Sequence, residues 1–269
     1  MINRRFLRVK VLQAVYAYQE SGEDFVENGI KHLIDSIEKL RDLFVWQLSF
    51  FFDTKRFAEN RIEENKHKNF PTHDDLNPNM RYVENRVLVA LENNKDLRKE
   101  EERLKINWAD HQDIVRGYYN KMRETEEYRQ YMSDSVDNFD RDKKFIVKMI
   151  NEYFADLEVL QDFYEEKSIF FVDDYHLVSS MLVKFFTEIK ANFNENTQLP
   201  AIYKTEKDPV NEDKEFVKNL FRKVISKSGE YGNLVGANIT NREKERVCVM
   251  DMIILKLAIT EFLCFPYIP

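Results

Sequence analysis

Residues 3–20 read N-R-R-F-L-R-V-K-V-L-Q-A-V-Y-A-Y-Q-E, and their spacing decides how the chain is built. Leu7, Val11, Ala14, Val15 and Tyr18 recur at i, i+4, i+7, i+8 and i+11, the period of one buried helical stripe. Asn3 precedes the run and is the predicted N-cap, with a side chain short enough to accept from a first-turn amide. Arg5 and Arg8 flank the stripe, so both can reach solvent while Leu7 and Val11 stay inside. Arg4, Arg5, Arg8 and Lys10 all precede the first acidic residue, Glu20. A cation in the first turn opposes the helix dipole by about 0.3–1 kcal/mol. These side chains therefore point to an anionic partner and away from helix stability.

The rest of the chain carries the same helical signature. Among 269 residues there are 6 glycines and 6 prolines, far fewer turn formers than a sheet protein needs. The predicted fold class is all-α. Thirteen tyrosines and 21 phenylalanines supply large apolar areas, and the interhelical core is their expected place, Tyr16 and Tyr18 included. The length suits one large domain or two ordinary ones, each able to bury a substantial core. Cys248 and Cys264, the two cysteines, lie in apolar runs and are expected to be buried thiols in a reducing, cytoplasmic compartment. Residues 43–52 form the longest apolar run, bounded by Asp42 and Asp53. That is about half of what crossing hydrocarbon requires, so no membrane partner is expected. The early basic residues also interrupt any signal-peptide pattern.

A second helix is expected over residues 30–52, packed on the first. Residues 55–68 are polar, and 70–79 contain Pro71 and Pro78, which marks a boundary. Further helices are predicted over 81–104, 110–132, 141–164 and 175–192. Residues 194–213, with Pro200 and Pro209, read as a linker. Two final helices follow at 216–228 and 241–263, the second opened by a capping-box spacing between Thr240 and Glu243. Residues 247–263 are apolar on nearly every face except at Asp251, Lys256, Thr260 and Glu261, the pattern of a helix at the centre of a bundle. Residues 1–60 hold nine basic and nine acidic side chains, and 216–269 hold eight and five. The total of -7 leaves residues 61–215 at -10, so a polyanion should meet the ends of the chain.

Residues 4–19, R-R-x-x-R-x-x-x-x-Q-A-V-Y-A-Y-Q, resemble the first helix of the NusB family of bacterial transcription antitermination factors. Residues 254–262, I-L-K-L-A-I-T-E-F, preceded by Asp251 and followed by Ile268-Pro269, are similar to that family's central helix and the turn after it. Residues 216–225 look like the helix before these. The resemblance implies a NusB-like helical bundle formed by residues 1–60 and 205–269, with an acidic helical insertion at 61–204. The family continues past this point with further helices, so the C-terminal part is expected to be incomplete.

The resemblance further implies an RNA-binding adaptor that catalyses no reaction and needs no cofactor or metal. With the ribosomal protein NusE it would bind the boxA element of nascent ribosomal RNA, as single-stranded RNA, in the RNA polymerase antitermination complex. Carried over by position, Arg4, Arg5 and Arg8 would contact RNA, with Lys10 and Gln13 on the same helix and Lys256 on a later one. Asp251 would face NusE. Arginine suits the task because it offers a charge for phosphate and a flat surface for bases. The Arg4–Arg8 turn and Lys256 are expected to form one continuous surface.

Two other readings follow from the residues. A helical interaction scaffold could dock its acidic middle on a basic partner. A metal-dependent hydrolase could draw on His73-Asp74-Asp75 or on Asp173-Asp174-Tyr175-His176, although both look more like helix starts, capped by Asp74 and by Asp173 or Asp174. The sequence has no glycine-rich phosphate loop, CxxC or nucleophile elbow.

Overall fold

Asn3 opens the first helix as its position predicts. Its Oδ1 accepts from the Phe6 amide at 3.1 Å. Helix α1 covers Arg4–Ser21, and Gly22 closes it at φ 64°, a left-handed conformation that glycine adopts without a Cβ clash. This computed structural model describes residues 2–22, 24–203, 212–238 and 247–265, and among them every regular element is helical. The fold class is all-α.

Along the chain follow α2 (Val26–Lys66), α3 (His73–Leu76), α4 (Arg86–Glu92), α5 (Lys95–Leu104), α6 (Gln112–Glu124) and α7 (Glu126–Ser133). After these come α8 (Phe139–Met149), α9 (Glu158–Lys167), α10 (Tyr175–Glu188), α11 (Glu212–Ser226), α12 (Ser228–Asn238) and α13 (Val249–Cys264). The chain divides into two compact units, Met1–Lys39 with Ala201–Pro269, and Leu40–Pro200.

In the first unit α1 packs on α11 and α13, and α12 packs on α13. Leu7, Val11 and Val15 of α1 meet an aliphatic core supplied by Leu33, Ile37, Val217, Leu220 and Val224, all fully buried. Removing each such side chain from water stabilises the unit by about 1.5–3 kcal/mol. Gly29 marks the tightest approach of α2, because a Cβ there would lie 2.6 Å from Phe221 Cζ and 2.8 Å from Tyr18 Cδ2. Two ion pairs fasten the start of α2 to α11, Arg222–Glu27 at 2.8 Å and Lys214–Glu38 at 2.8 Å.

The second unit is built on rings. Phe50 packs 5.0 Å from Trp108 and 5.2 Å from Tyr118, centroid to centroid, and Phe51 lies 4.7 Å from Phe154. Trp46 lies 5.4 Å from Trp108, whose Nε1 donates to Ser49 Oγ at 2.8 Å. Most of these pairs are edge-to-face, the arrangement that aligns ring edges with ring faces.

Several expectations change. The units divide at Lys39/Leu40 and Pro200/Ala201, where the sequence placed boundaries at 60/61 and 204/205. Residues 43–52 belong to the second unit because their aromatic side chains find ring partners there. Helix α2 runs unbroken for 41 residues through the polar segment. The helices expected over 81–104, 110–132 and 141–164 are each divided. Asn94 opens a new helix, α5, by accepting from the Leu97 amide at 2.9 Å, and Thr125 opens α7 by accepting from the Tyr128 amide at 3.1 Å. A π-helical turn, Ile150–Phe154, interrupts the third. The predicted capping pair Thr240 and Glu243, the linker's Pro209 and the Ile268-Pro269 turn lie outside the described residues.

Candidate nucleic-acid interface

The basic turn of α1 is held in place by acidic and aromatic groups from far along the chain. Arg8 Nε donates to both oxygens of Glu261 on α13, at 2.6 and 2.8 Å. Arg4 Nε reaches Asp213 Oδ1 on α11 at 3.4 Å. Both guanidinium groups also lie over the Phe216 ring, at 5.0 Å for Arg4 and 5.7 Å for Arg8. Packing a cation against an aromatic face is itself favourable, by about 0.5–1 kcal/mol at exposed sites.

The bracing leaves most of each guanidinium fork open. Among the described residues only Nε of Arg4 and Nε of Arg8 donate hydrogen bonds, and the side chains stay 44% and 37% exposed. Their terminal nitrogens are thus oriented but unoccupied. Arg5, between them, is exposed and has no ion pair or hydrogen bond among the described residues. The result is a compact cationic tip of three arginines, two of them pre-ordered.

The other predicted residues fall elsewhere. Lys10 is buried and Gln13 half-buried, and both interact within the chain, so Lys10 does not present its charge freely and Gln13 is only partly accessible. Lys256 turns toward α12, where its Nζ donates to Ser228 Oγ at 2.8 Å, and burial lowers its pKa from the ordinary lysine value. Lys256 and Glu261 are five positions apart on α13, roughly 140° around its axis. Lys256 therefore occupies a different seam from Arg8, and the expected continuous surface divides at α13. Asp251 is exposed in the first turn of α13, where the helix dipole favours a carboxylate.

Helix α13 is not the enclosed centre of a bundle. Its buried line is Ile253, Leu257, Thr260 and Glu261, whereas Ile254, Leu255, Phe262 and Leu263 are 49%, 39%, 78% and 66% exposed. Cys248, its N-cap, is exposed and Cys264 is half-buried, so the thiols are not the sealed pair expected from their apolar surroundings. Tyr16 is likewise exposed, while Tyr18 joins the core edge-on to Phe221 at 5.7 Å. Sequence reasoning missed Asp213, Phe216 and Glu261 as the groups that hold the arginines. Glu261 left a signal, since a carboxylate in an otherwise apolar helical stretch requires a cation nearby.

The acidic segments weighed as hydrolase sites form helix starts. Thr72, not the predicted Asp74, is the N-cap of α3 and forms a capping box with Asp75, and Asp174 stands at the N-cap position of α10 without a side-chain cap bond. No cluster of metal-ligating side chains occurs among the described residues. No helix among them is long and apolar enough to cross a membrane. The first unit thus belongs to the class of helical bundles that display a cationic helix tip beside an exposed apolar helix. No family model matches the chain, and no curated protein or solved structure matches it.

Proposed function

We propose that this chain is an RNA-binding antitermination factor of the NusB type, acting with ribosomal protein NusE on boxA-like single-stranded RNA, and that its RNA contact is the arginine tip of α1. One observation carries the proposal: the two segments that bear the resemblance, separated by more than two hundred residues, pack in one unit through Arg8 and Glu261. Arg4 and Arg8 offer oriented forks for phosphate oxygens, and Arg5 is free to follow the strand or stack on a base. Lys10 and Gln13 hold the helix from within, and Lys256 supplies a more distant positive charge. Asp251, one turn from exposed Ile254 and with exposed Phe262 further along the same helix, is the surface offered to NusE. Binding is the whole of the activity, with no catalysed step.

Fluorescence anisotropy with NusE present tests this. BoxA-like RNA is expected to bind more tightly than a scrambled strand, with affinity falling steeply as salt rises because phosphate contacts release counterions. Equal, negligible binding of both RNAs would overturn it. The exposed apolar side of α13 favours one second reading, a protein-interaction scaffold. Partners that survive RNase treatment and the Arg5→Ala substitution would support that reading instead.

A further inference from the structure

A cavity of about 590 Å³ opens within the second unit, between α2, α6 and α7. That size suits a small organic ligand. Its floor is Tyr82, Val83, Tyr119 and Tyr128, all buried, and its rim carries Arg61 and Arg123. Arg61 Nη1 donates to the neutral Asn120 Oδ1 at 3.0 Å, and Arg123 lies 5.7 Å over the Tyr119 ring. Neither guanidinium has a carboxylate partner among the described residues.

The acids at the mouth are already committed or fully solvated. Asp75 accepts from the Thr72 amide and hydroxyl at 3.0 and 2.9 Å and from Lys68 at 3.4 Å, while the Asp74 side chain is fully exposed. A third arginine, Arg129, has Glu126 at 3.6 Å. Residues 61–215 carry a net charge of -10, so carboxylates outnumber the cations they could pair with. Two that remain unpaired at one cavity have the composition of an anion site.

The number of charges selects the anion. A carboxylate would neutralise one guanidinium, whereas a phosphate monoester carries about -1.5 to -2 at neutral pH and matches both. Guanidinium forks also fit phosphate oxygens in pairs. The tyrosine and valine floor provides an apolar wall for a flat ring. We infer that this cavity binds a small phosphate monoester carrying a planar ring, with Arg61 and Arg123 clamping the phosphate. The site is independent of the α1 tip.

Isothermal titration of the full chain with adenosine 5′-monophosphate, phenyl phosphate and adenosine tests it. Both esters are expected to saturate one site, with adenosine at least about tenfold weaker. Arg61→Gln and Arg123→Gln should each weaken the esters about tenfold while leaving Tm unchanged, and Arg5→Ala should leave ester binding intact. Absence of saturable ester binding, equal binding of adenosine, or undiminished affinity in Arg123→Gln, an exposed position whose substitution spares the core, would overturn the inference.

Discussion

The two units bury their interiors by different means. The first closes on aliphatic stripes and uses buried carboxylates, Asp213 and Glu261, to position arginines at its surface. The second closes on interlocking rings and keeps its ion pairs among its own helices, as in Arg103–Asp42 at 2.6 Å and Lys55–Glu92 at 2.7 Å. In the first, charge is arranged to be offered outward; in the second, much of it joins the unit's own helices, α2 to α4 and α5 among them. The net charge of a segment therefore says less about its partner than whether its cations are already paired. The middle of the chain is acidic overall, yet two arginines without a carboxylate partner among the described residues, Arg61 and Arg123, line one cavity.

The largest effect should come from breaking the ring core. Trp108→Ala removes a fully enclosed indole that touches Trp46, Phe50 and Phe163 and leaves Ser49 without its donor. Equilibrium denaturation should show a loss of about 3–5 kcal/mol. A loss below about 1 kcal/mol would mean that the rings repack freely and that the contrast between the units is superficial.

In the aliphatic unit the sharpest probe is Gly29→Ala. The added methyl would overlap Phe221 and Tyr18, forcing rings to shift, and should cost about 1–3 kcal/mol despite the better helix propensity of alanine. A stabilised variant would show that α2 does not approach α1 and α11 this closely.

A smaller effect follows from Glu101 in the second unit. Burial, reinforced by the nearby Asp53 carboxylate, pushes its pKa up to about 7 although Arg98 Nη1 donates to it at 3.0 Å. An acid with a folded pKa above its ordinary 4.5 is held neutral in the native state while the unfolded chain ionises. Stability contributed by the neutral form is therefore present below about pH 4.5 and declines as pH rises toward 7, by an amount of order 1 kcal/mol. Denaturation midpoints across that window should fall for the native chain and flatten in Glu101→Gln. An unchanged slope would remove Glu101 from the titration.

Much of this architecture was legible in residues 3–20 alone, where period, N-cap and buried stripe agree with the structure. Helix interruptions were not legible, because Asn94 and Thr125 resemble ordinary polar surface positions until their side chains turn back onto backbone amides. Helix α12 was missed for a related reason, since three glycines, Gly229, Gly232 and Gly236, lie inside it and weaken any helical signal. At the candidate interface the arginines could be named from their positions. Which of them are braced depended on contacts across more than two hundred residues, and the turn of Lys256 into another seam on a contact 28 positions away. Local spacing carries no record of such contacts.

The most direct measurement compares boxA-like RNA affinity, with NusE present, for the native chain, Arg5→Ala and Lys256→Ala over a range of salt concentrations. Recognition at the α1 tip predicts that Arg5→Ala weakens binding about tenfold and makes the salt dependence shallower by about one phosphate contact, at unchanged stability, while Lys256→Ala has the smaller effect. Native affinity and salt slope retained in Arg5→Ala, with the loss confined to Lys256→Ala, would contradict it.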